Sequence, residues 1–180
     1  KLSNLITSDK VCHAYLFTGK SGIGKRLVAI DFAKSMMCLN NEEGKACERC
    51  EACKTFESNG DFYIINPEKN LIKVDEIRNL INEIYLKPTK AKRKCFIIND
   101  ADFMNESAQN ALLKILEEPP KYASIILVAE NKEKLLGTIK SRVIEEKFTV
   151  LSENEMQIIL GDEFNKEIIN YSRGSIKKAL

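Results

Sequence analysis

Apolar residues gather in five short runs, Ala14–Thr18, Phe62–Asn66, Lys94–Asn99, Ala123–Ala129 and Arg142–Phe148, each with the length and composition of a buried strand. The last run contains Glu145, Glu146 and Lys147, which suits an edge strand. Between the runs the spacing becomes helical. Val28, Ala29, Phe32, Ala33, Met36 and Met37 share one face, and Val74, Ile77, Leu80, Ile81 and Ile84 share another. Ala108, Ala111, Leu112 and Ile115 form a third face, with Asn105 placed to cap its helix and Pro119-Pro120 placed to stop it. Strands alternating with helices of this length predict an α/β fold, a mostly parallel sheet covered on both faces. After Phe148 only helical segments follow, Ser152–Leu160, Glu163–Tyr171 and Ser175–Leu180. The pattern therefore divides the chain into an α/β domain over residues 1–149 and the start or body of a small helical domain over 150–180.

Composition changes this picture little. The 180 residues are 44% hydrophobic and 30% charged, enough to build a core without disulfides. A net charge of +2 is too small to argue for nucleic-acid binding on its own. No apolar stretch approaches the roughly 20 residues that cross a bilayer, and nothing resembles a secretory signal, so a cytoplasmic protein without a membrane partner is expected. The chain starts at Lys1 and ends at Leu180 inside a helical pattern, which is expected of a fragment of a longer protein.

Candidate chemistry begins right after the first strand. Gly19-Lys-Ser-Gly-Ile-Gly-Lys25 is a phosphate-binding loop in which Gly19, Gly22 and Gly24 free the backbone N–H groups to surround an anion and Lys25 reaches the outer phosphates. The next residue, where a Ser or Thr hydroxyl normally ligates magnesium, is Arg26. A guanidinium repels the metal, although it can pair with phosphate, leaving nucleotide binding without turnover. A chance glycine-rich turn is the bland alternative, and a strand before the loop with a helix after it argues against that. The strand Lys94–Ile98 ends in Asn99, Asp100 and Asp102, where such ATPases place the carboxylate that supports the metal. Asn99 is an amide at the first of these positions, so two separate substitutions weaken one metal site. Taken alone, Asn99 and Asp100 would simply end a strand.

Cys38, Cys47, Cys50 and Cys53 are separated by eight, two and two residues. Four thiolates in so short a span fit a closed tetrahedral zinc site, structural because no position is left for water. A redox pair, an iron–sulfur cluster and unrelated buried thiols are the competing readings. Cys12 and Cys95 lie in or beside apolar runs and read as small core residues.

Taken in order, His13-Ala-Tyr-Leu-Phe17, the phosphate loop, the four cysteines, Asn110-Ala-Leu-Leu-Lys-Ile-Leu-Glu-Glu-Pro-Pro120 and Thr138-Ile-Lys-Ser-Arg142 resemble the bacterial DNA polymerase III clamp loader family over nearly the whole chain. The resemblance implies an AAA+ module: a three-layer P-loop domain with a five-stranded parallel sheet and an inserted zinc module near 38–53, then a helical lid, with a C-terminal collar domain absent from this chain. Two kinds of family subunit carry the zinc module, the gamma/tau motor and delta-prime. The motor has Thr after the loop lysine, Asp-Glu after the strand and a sensor Thr after the next strand, where this chain has Arg26, Asn99-Asp100 and Glu130-Asn131. Lys177 stands where the lid motif supplies a sensing arginine.

These departures imply the delta-prime kind, a non-motor subunit of the polymerase III holoenzyme. ATP binding is then weak or absent, and gamma/tau and delta subunits are partners, with the sliding clamp and primed DNA reached through the complex. The family's Ser-Arg-Cys motif reads Ser141-Arg142-Val143 here, so the resemblance makes Arg142 an arginine finger for a neighbour's ATP, supported by Ser141. Read alone, Arg142 is an ordinary surface arginine. A catalytically active motor using Asp100 or Asp102, and a zinc-bearing ATP sensor outside replication, are the alternatives. Lys87, Lys90, Lys92, Arg93 and Lys94 form a basic cluster that could meet duplex phosphates or merely be a solvated loop. Glu117-Glu118 reads as a helix ending at the double proline, since no nucleophile or catalytic His motif accompanies it.

Overall fold

In chain order the helices and strands are α1 (Leu2–Thr7), β1 (Ala14–Thr18), α2 (Lys25–Met37), α3 (Glu51–Lys54), β2 (Phe62–Ile65), α4 (Val74–Ile84), β3 (Lys94–Ile98), α5 (Glu106–Glu117), β4 (Ala123–Ala129), α6 (Gly137–Lys140), β5 (Ile144–Lys147) and α7 (Glu153–Leu160). They are those of a computed structural model that describes residues 1–160. All five expected strands form, with Asn66 and Asn99 just outside theirs and β5 reduced to four residues. Asn105 caps α5 by accepting a hydrogen bond from the Ala108 N–H. Helix α7 falls where the helical domain was expected to start; Glu163–Tyr171, Ser175–Leu180 and Lys177 lie outside the described residues.

The strands make one parallel sheet in the order β2-β3-β4-β1-β5. Alternate residues of each strand face opposite layers. Leu16, Phe96, Ile98, Ile125 and Leu127 pack with Ile77, Leu80 and Ile84 of α4 and with Leu112 and Ile115 of α5. On the other face Tyr15, Phe17, Ile97, Ile126 and Val128 pack with Ile6 of α1 and with Ala29, Phe32 and Met36 of α2. Because both faces are covered, β1, β3 and β4 are buried along their whole length, which explains their unbroken apolar runs. Each large side chain buried there contributes about 1.5–3 kcal/mol.

Three buried polar side chains hold the connections. Asp61, fully buried, accepts hydrogen bonds from the backbone N–H groups of Thr89, Lys90 and Ala91 at 2.8–3.0 Å, fixing the loop before β3. Gln109 of α5 donates to the Met104 and Lys134 carbonyls, each at 3.1 Å, and accepts from the Leu136 N–H at 2.8 Å. That ties the start of α5 to the segment leading into α6. Lys94 corrects the reading of the basic cluster: its side chain is only 3% exposed, its ammonium donates to the Glu83 carbonyl at 3.0 Å, and it lies over the Tyr63 ring. Lys94 thus belongs to the packing between α4 and the sheet. Lys87, Lys90 and Lys92 remain exposed, and Lys90 pairs with Glu51 at 3.2 Å.

Asp61→Ala strips three backbone donors of their partner in a dry site. The expected loss of unfolding free energy is on the order of 3 kcal/mol, read as a lower denaturant midpoint with an unchanged slope.

Candidate functional site

The phosphate loop spans the turn from β1 into α2, above the end of the sheet where the strands finish. Gly24 at the helix N-cap has φ +92° and Gly19 has φ +150°. A β-carbon on Gly19 would collide with the Phe148 carbonyl, so the first glycine is required by the chain leaving β5 as well as by the turn. Lys25 is buried, and its ammonium donates to the Gly19 carbonyl at 2.6 Å and the Lys20 carbonyl at 2.7 Å. Burial lowers its pKa, against the opposing pull of the Glu130, Asp100 and Asp102 carboxylates. Arg26 points to solvent from the first turn of α2.

The acidic end of β3 is brought to this loop, as the sequence predicts, but its members do different things. Asn99 is buried and donates from Nδ2 to the Asp100 carboxylate at 3.0 Å. Asp100 sits in the left-handed region with φ +47°. Its pKa is raised, first by burial and then by repulsion from Asp102, with Lys25 and Arg26 acting the other way. Asp102 accepts from the Glu130 and Asn131 N–H groups at 3.2 and 3.3 Å, which makes it a clasp between the β3 and β4 ends. Asp100 is therefore the acid left free of backbone donors. The arrangement combines the positive end of the 13-residue α2 with a buried ammonium, a setting that favours an anion.

The four cysteines meet beyond the other end of α2. Cys38 follows its last residue, Cys53 lies in α3, and all four sulfurs lie within 4.8 Å of one another. Cys38 Sγ and Cys50 Sγ are 3.9 Å apart, close to the spacing of about 3.8 Å that 2.3 Å bonds to a tetrahedral zinc require. The Cys47 and Cys50 N–H groups each donate to a preceding sulfur at 3.4 Å, as they would to thiolates. Burial pushes the Cys53 thiol up to about 12, and hydrogen bonds from Cys50 and Cys38 add to this. Burial also acts upward on Cys50, but backbone donors from Leu39 and Cys53 outweigh it and bring the thiol to about 6. The donor set fits a dication that takes all four as thiolates.

Arg142 lies between α6 and β5. Its Nη1 donates to the Thr138 carbonyl at 2.8 Å and to Ser141 Oγ at 3.2 Å, while Nη2 donates to Glu117 Oε1 at 2.7 Å. Ser141 Oγ in turn donates to the Thr138 carbonyl at 3.0 Å, so the serine sits directly beneath the guanidinium. The contact with Glu117 was not legible in the sequence, where the two are 25 residues apart and Glu117 read as a helix end. Arg142 precedes β5 and the phosphate loop follows β1, and these strands are parallel neighbours. The four residues of β5, at about 3.3 Å each, separate the two groups by roughly 13 Å along the sheet. The candidate residues thus form three separate sites: loop and acids at one end of the sheet, Arg142 at the other, and the thiols beyond α2.

Comparison with known proteins agrees with this architecture. The family model described as DNA polymerase III, delta subunit matches residues 1–152. The delta' subunit of Bacillus subtilis polymerase III is 42% identical over 145 residues, covering 78% of this chain and 43% of that protein. The gamma subunit of Buchnera aphidicola from Schizaphis graminum is 34% identical over 192 residues, covering 99% of this chain and 53% of that one. The chain thus spans about half the length, or less, of these relatives. Among solved structures, a gamma subunit-related protein of Thermotoga maritima superposes with TM-score 0.68 at 24% identity, covering 99% of this chain and 55% of that one. The RuvB Holliday junction branch migration motor of the same organism gives 0.64 at 16%, with the same coverage. Both likenesses bear out the AAA+ fold. Among the described residues no helix is long and apolar enough to cross a membrane. With its sheet, loop, cysteine module and motif order in place, the chain belongs to the DNA polymerase III, delta subunit family of clamp loader subunits.

Proposed function

We propose that the chain acts in DNA replication as a delta-prime subunit: a non-motor member of the clamp loader that helps place the sliding clamp on primed DNA and offers Arg142 to ATP held by a neighbouring gamma/tau subunit. The observation that carries this reading is the position of Arg142 at the opposite end of the sheet from the chain's own phosphate loop, where it can serve only a nucleotide outside the chain. Anchoring by Thr138 and Ser141 limits the side-chain freedom that docking would otherwise remove. A guanidinium supplied in trans offsets charge developing on the transferred phosphoryl group.

The chain's own loop supports the non-motor half of the proposal. Arg26 replaces the hydroxyl that would ligate magnesium, and Asn99 replaces a carboxylate and is engaged with Asp100. A loop of this kind retains the shape for an anion and lacks the groups for metal-assisted turnover. Weak or absent nucleotide binding by this chain is part of the delta-prime reading. Cys38, Cys47, Cys50 and Cys53 would hold a structural zinc that fixes the segment between α2 and β2 and takes no part in turnover. Gamma/tau and delta are the proposed direct partners, with clamp and DNA reached through the assembly. Any polymerase activity belongs to the holoenzyme. An active gamma-type motor is the second reading, favoured by the Buchnera gamma likeness over 99% of the chain and by the Asp100 carboxylate, which takes a hydrogen bond from Asn99 but none from the backbone.

In a clamp loader reconstituted with the full-length protein, Arg142→Ala is expected to slow ATP turnover at the adjoining motor site on the order of 10³-fold. The protein alone should show no magnesium-dependent turnover; turnover by the lone protein would favour the motor reading. Metal analysis should find one zinc per chain, lost in Cys47→Ser. Chelation should unfold the module, since such a site contributes on the order of 10 kcal/mol to ordering its segment.

A further inference from the structure

Glu117 is exposed, ends α5, and has no catalytic companion, yet it holds the Nη2 of Arg142 at 2.7 Å. The two ends of the guanidinium are treated differently. Nη1 is fixed by groups of its own segment, the Thr138 carbonyl and Ser141 Oγ, whereas Nη2 reaches across to another helix. The Glu117 side chain is 50% exposed and that of Arg142 is 33% exposed. An ion pair this wet is weak and is exchanged readily for a better anion. The cleft around it is open, and its walls include His13, Leu116, Val143 and Ile144.

From this geometry we infer that Glu117 is a placeholder for phosphate: its carboxylate occupies the outer face of the Arg142 guanidinium in the unassembled subunit and yields to the terminal phosphoryl group of a nucleotide carried by the neighbour. The inference rests on the arginine-finger reading above. Carboxylate and phosphoryl groups can each offer two oxygens to the planar guanidinium fork, and the phosphoryl group carries more charge, so exchange runs toward phosphate once the neighbour docks with nucleotide bound. With the neighbour empty, Glu117 keeps the arginine. Nη1 stays on Thr138 and Ser141 in both states, so the exchange moves a half-exposed glutamate and leaves the arginine in position. Engagement at this interface then reports on the neighbour's nucleotide, and Glu117 sets how much phosphate is needed. It acts through Arg142 and is a positioning residue.

The experiment measures ATP turnover against ATP concentration for the reconstituted clamp loader carrying full-length wild-type protein, Glu117→Gln, Glu117→Ala, Arg142→Ala, or Arg142→Ala combined with Glu117→Gln. Freeing the guanidinium from a pair of this exposure is expected to lower the ATP concentration for half-maximal turnover roughly two- to fivefold, with the maximal rate undiminished. The shift should vanish when Arg142 is already alanine. A fall in maximal rate with an unchanged ATP requirement would make Glu117 a support for the active arginine and overturn the placeholder. A shift that persists without Arg142, or no shift in either Glu117 variant, would overturn it as well. If Arg142→Ala leaves turnover unchanged, the finger reading itself fails, an outcome distinct from any of these.

Discussion

Parallel strand direction is the constraint on which the remaining features depend. In a sheet whose strands all run one way, every loop after a strand lies at one end and every connection entering a strand lies at the other. The phosphate loop after β1 and the acids after β3 are therefore neighbours by topology, and Arg142 ahead of β5 is excluded from their company. The same chain can then present an anion cradle on one side and a cation on the other without the two neutralising each other. The loop follows β1, a central strand buried on both faces, whereas Arg142 enters the partly exposed edge strand β5 and relies on its contacts with Thr138, Ser141 and Glu117.

Rigid strands alone do not place the loops that carry chemistry. That is done by a few buried polar side chains, each fully supplied with partners. Asp61 gathers three N–H groups of the loop before β3, Gln109 joins α5 to the approach to α6, and Asp102 joins the ends of β3 and β4. Each replaces water that the backbone groups would otherwise need, so their loss costs more than the bonds themselves are worth. Gln109 matters to the arginine site in particular. It fixes one end of α5 against the segment before α6, while Glu117 at the other end of α5 meets Arg142 just after α6.

Much of this was legible in the sequence because it depends on local spacing. Strands buried on both faces produce apolar runs, α4 and α5 show their stripes, and Cys-x-x-Cys-x-x-Cys places three sulfurs together whatever surrounds them. The structure adds the fourth sulfur at the same centre. What was not legible depends on pairs distant in sequence. Asp61 meets a loop 28 to 30 residues away and Glu117 meets Arg142 25 residues away, and neither pairing leaves a periodic trace. Lys94 was misread for a related reason. Four basic neighbours make it look like a surface cation, but it is the first residue of β3, and strand alternation turns it over the Tyr63 ring and against Glu83. Local charge density gave the wrong answer because burial follows the pleat.

The glycine-rich loop, followed directly by Arg26, has its shape held by packing. Gly19 lies against the Phe148 carbonyl, where no side chain fits, and Phe148 packs on Phe17 with ring centroids 5.1 Å apart. Lys25 satisfies two loop carbonyls from a buried position, and Thr18 donates to Glu145 of β5 at 2.8 Å. Loop, β5 and the departure of the chain toward α7 are thus one packed unit. Replacing Gly19 or Lys25 would leave a clash or unpaired carbonyls in that unit, a cost of folding whether or not ATP is ever hydrolysed. The hydroxyl position carries no such burden, since Arg26 faces solvent. Asn99 has the size of an aspartate but carries no charge and donates from Nδ2 to Asp100, whose own ionisation burial and Asp102 oppose. The loop residues with a packing role, Gly19 and Lys25, are thus distinct from Arg26, whose side chain meets solvent.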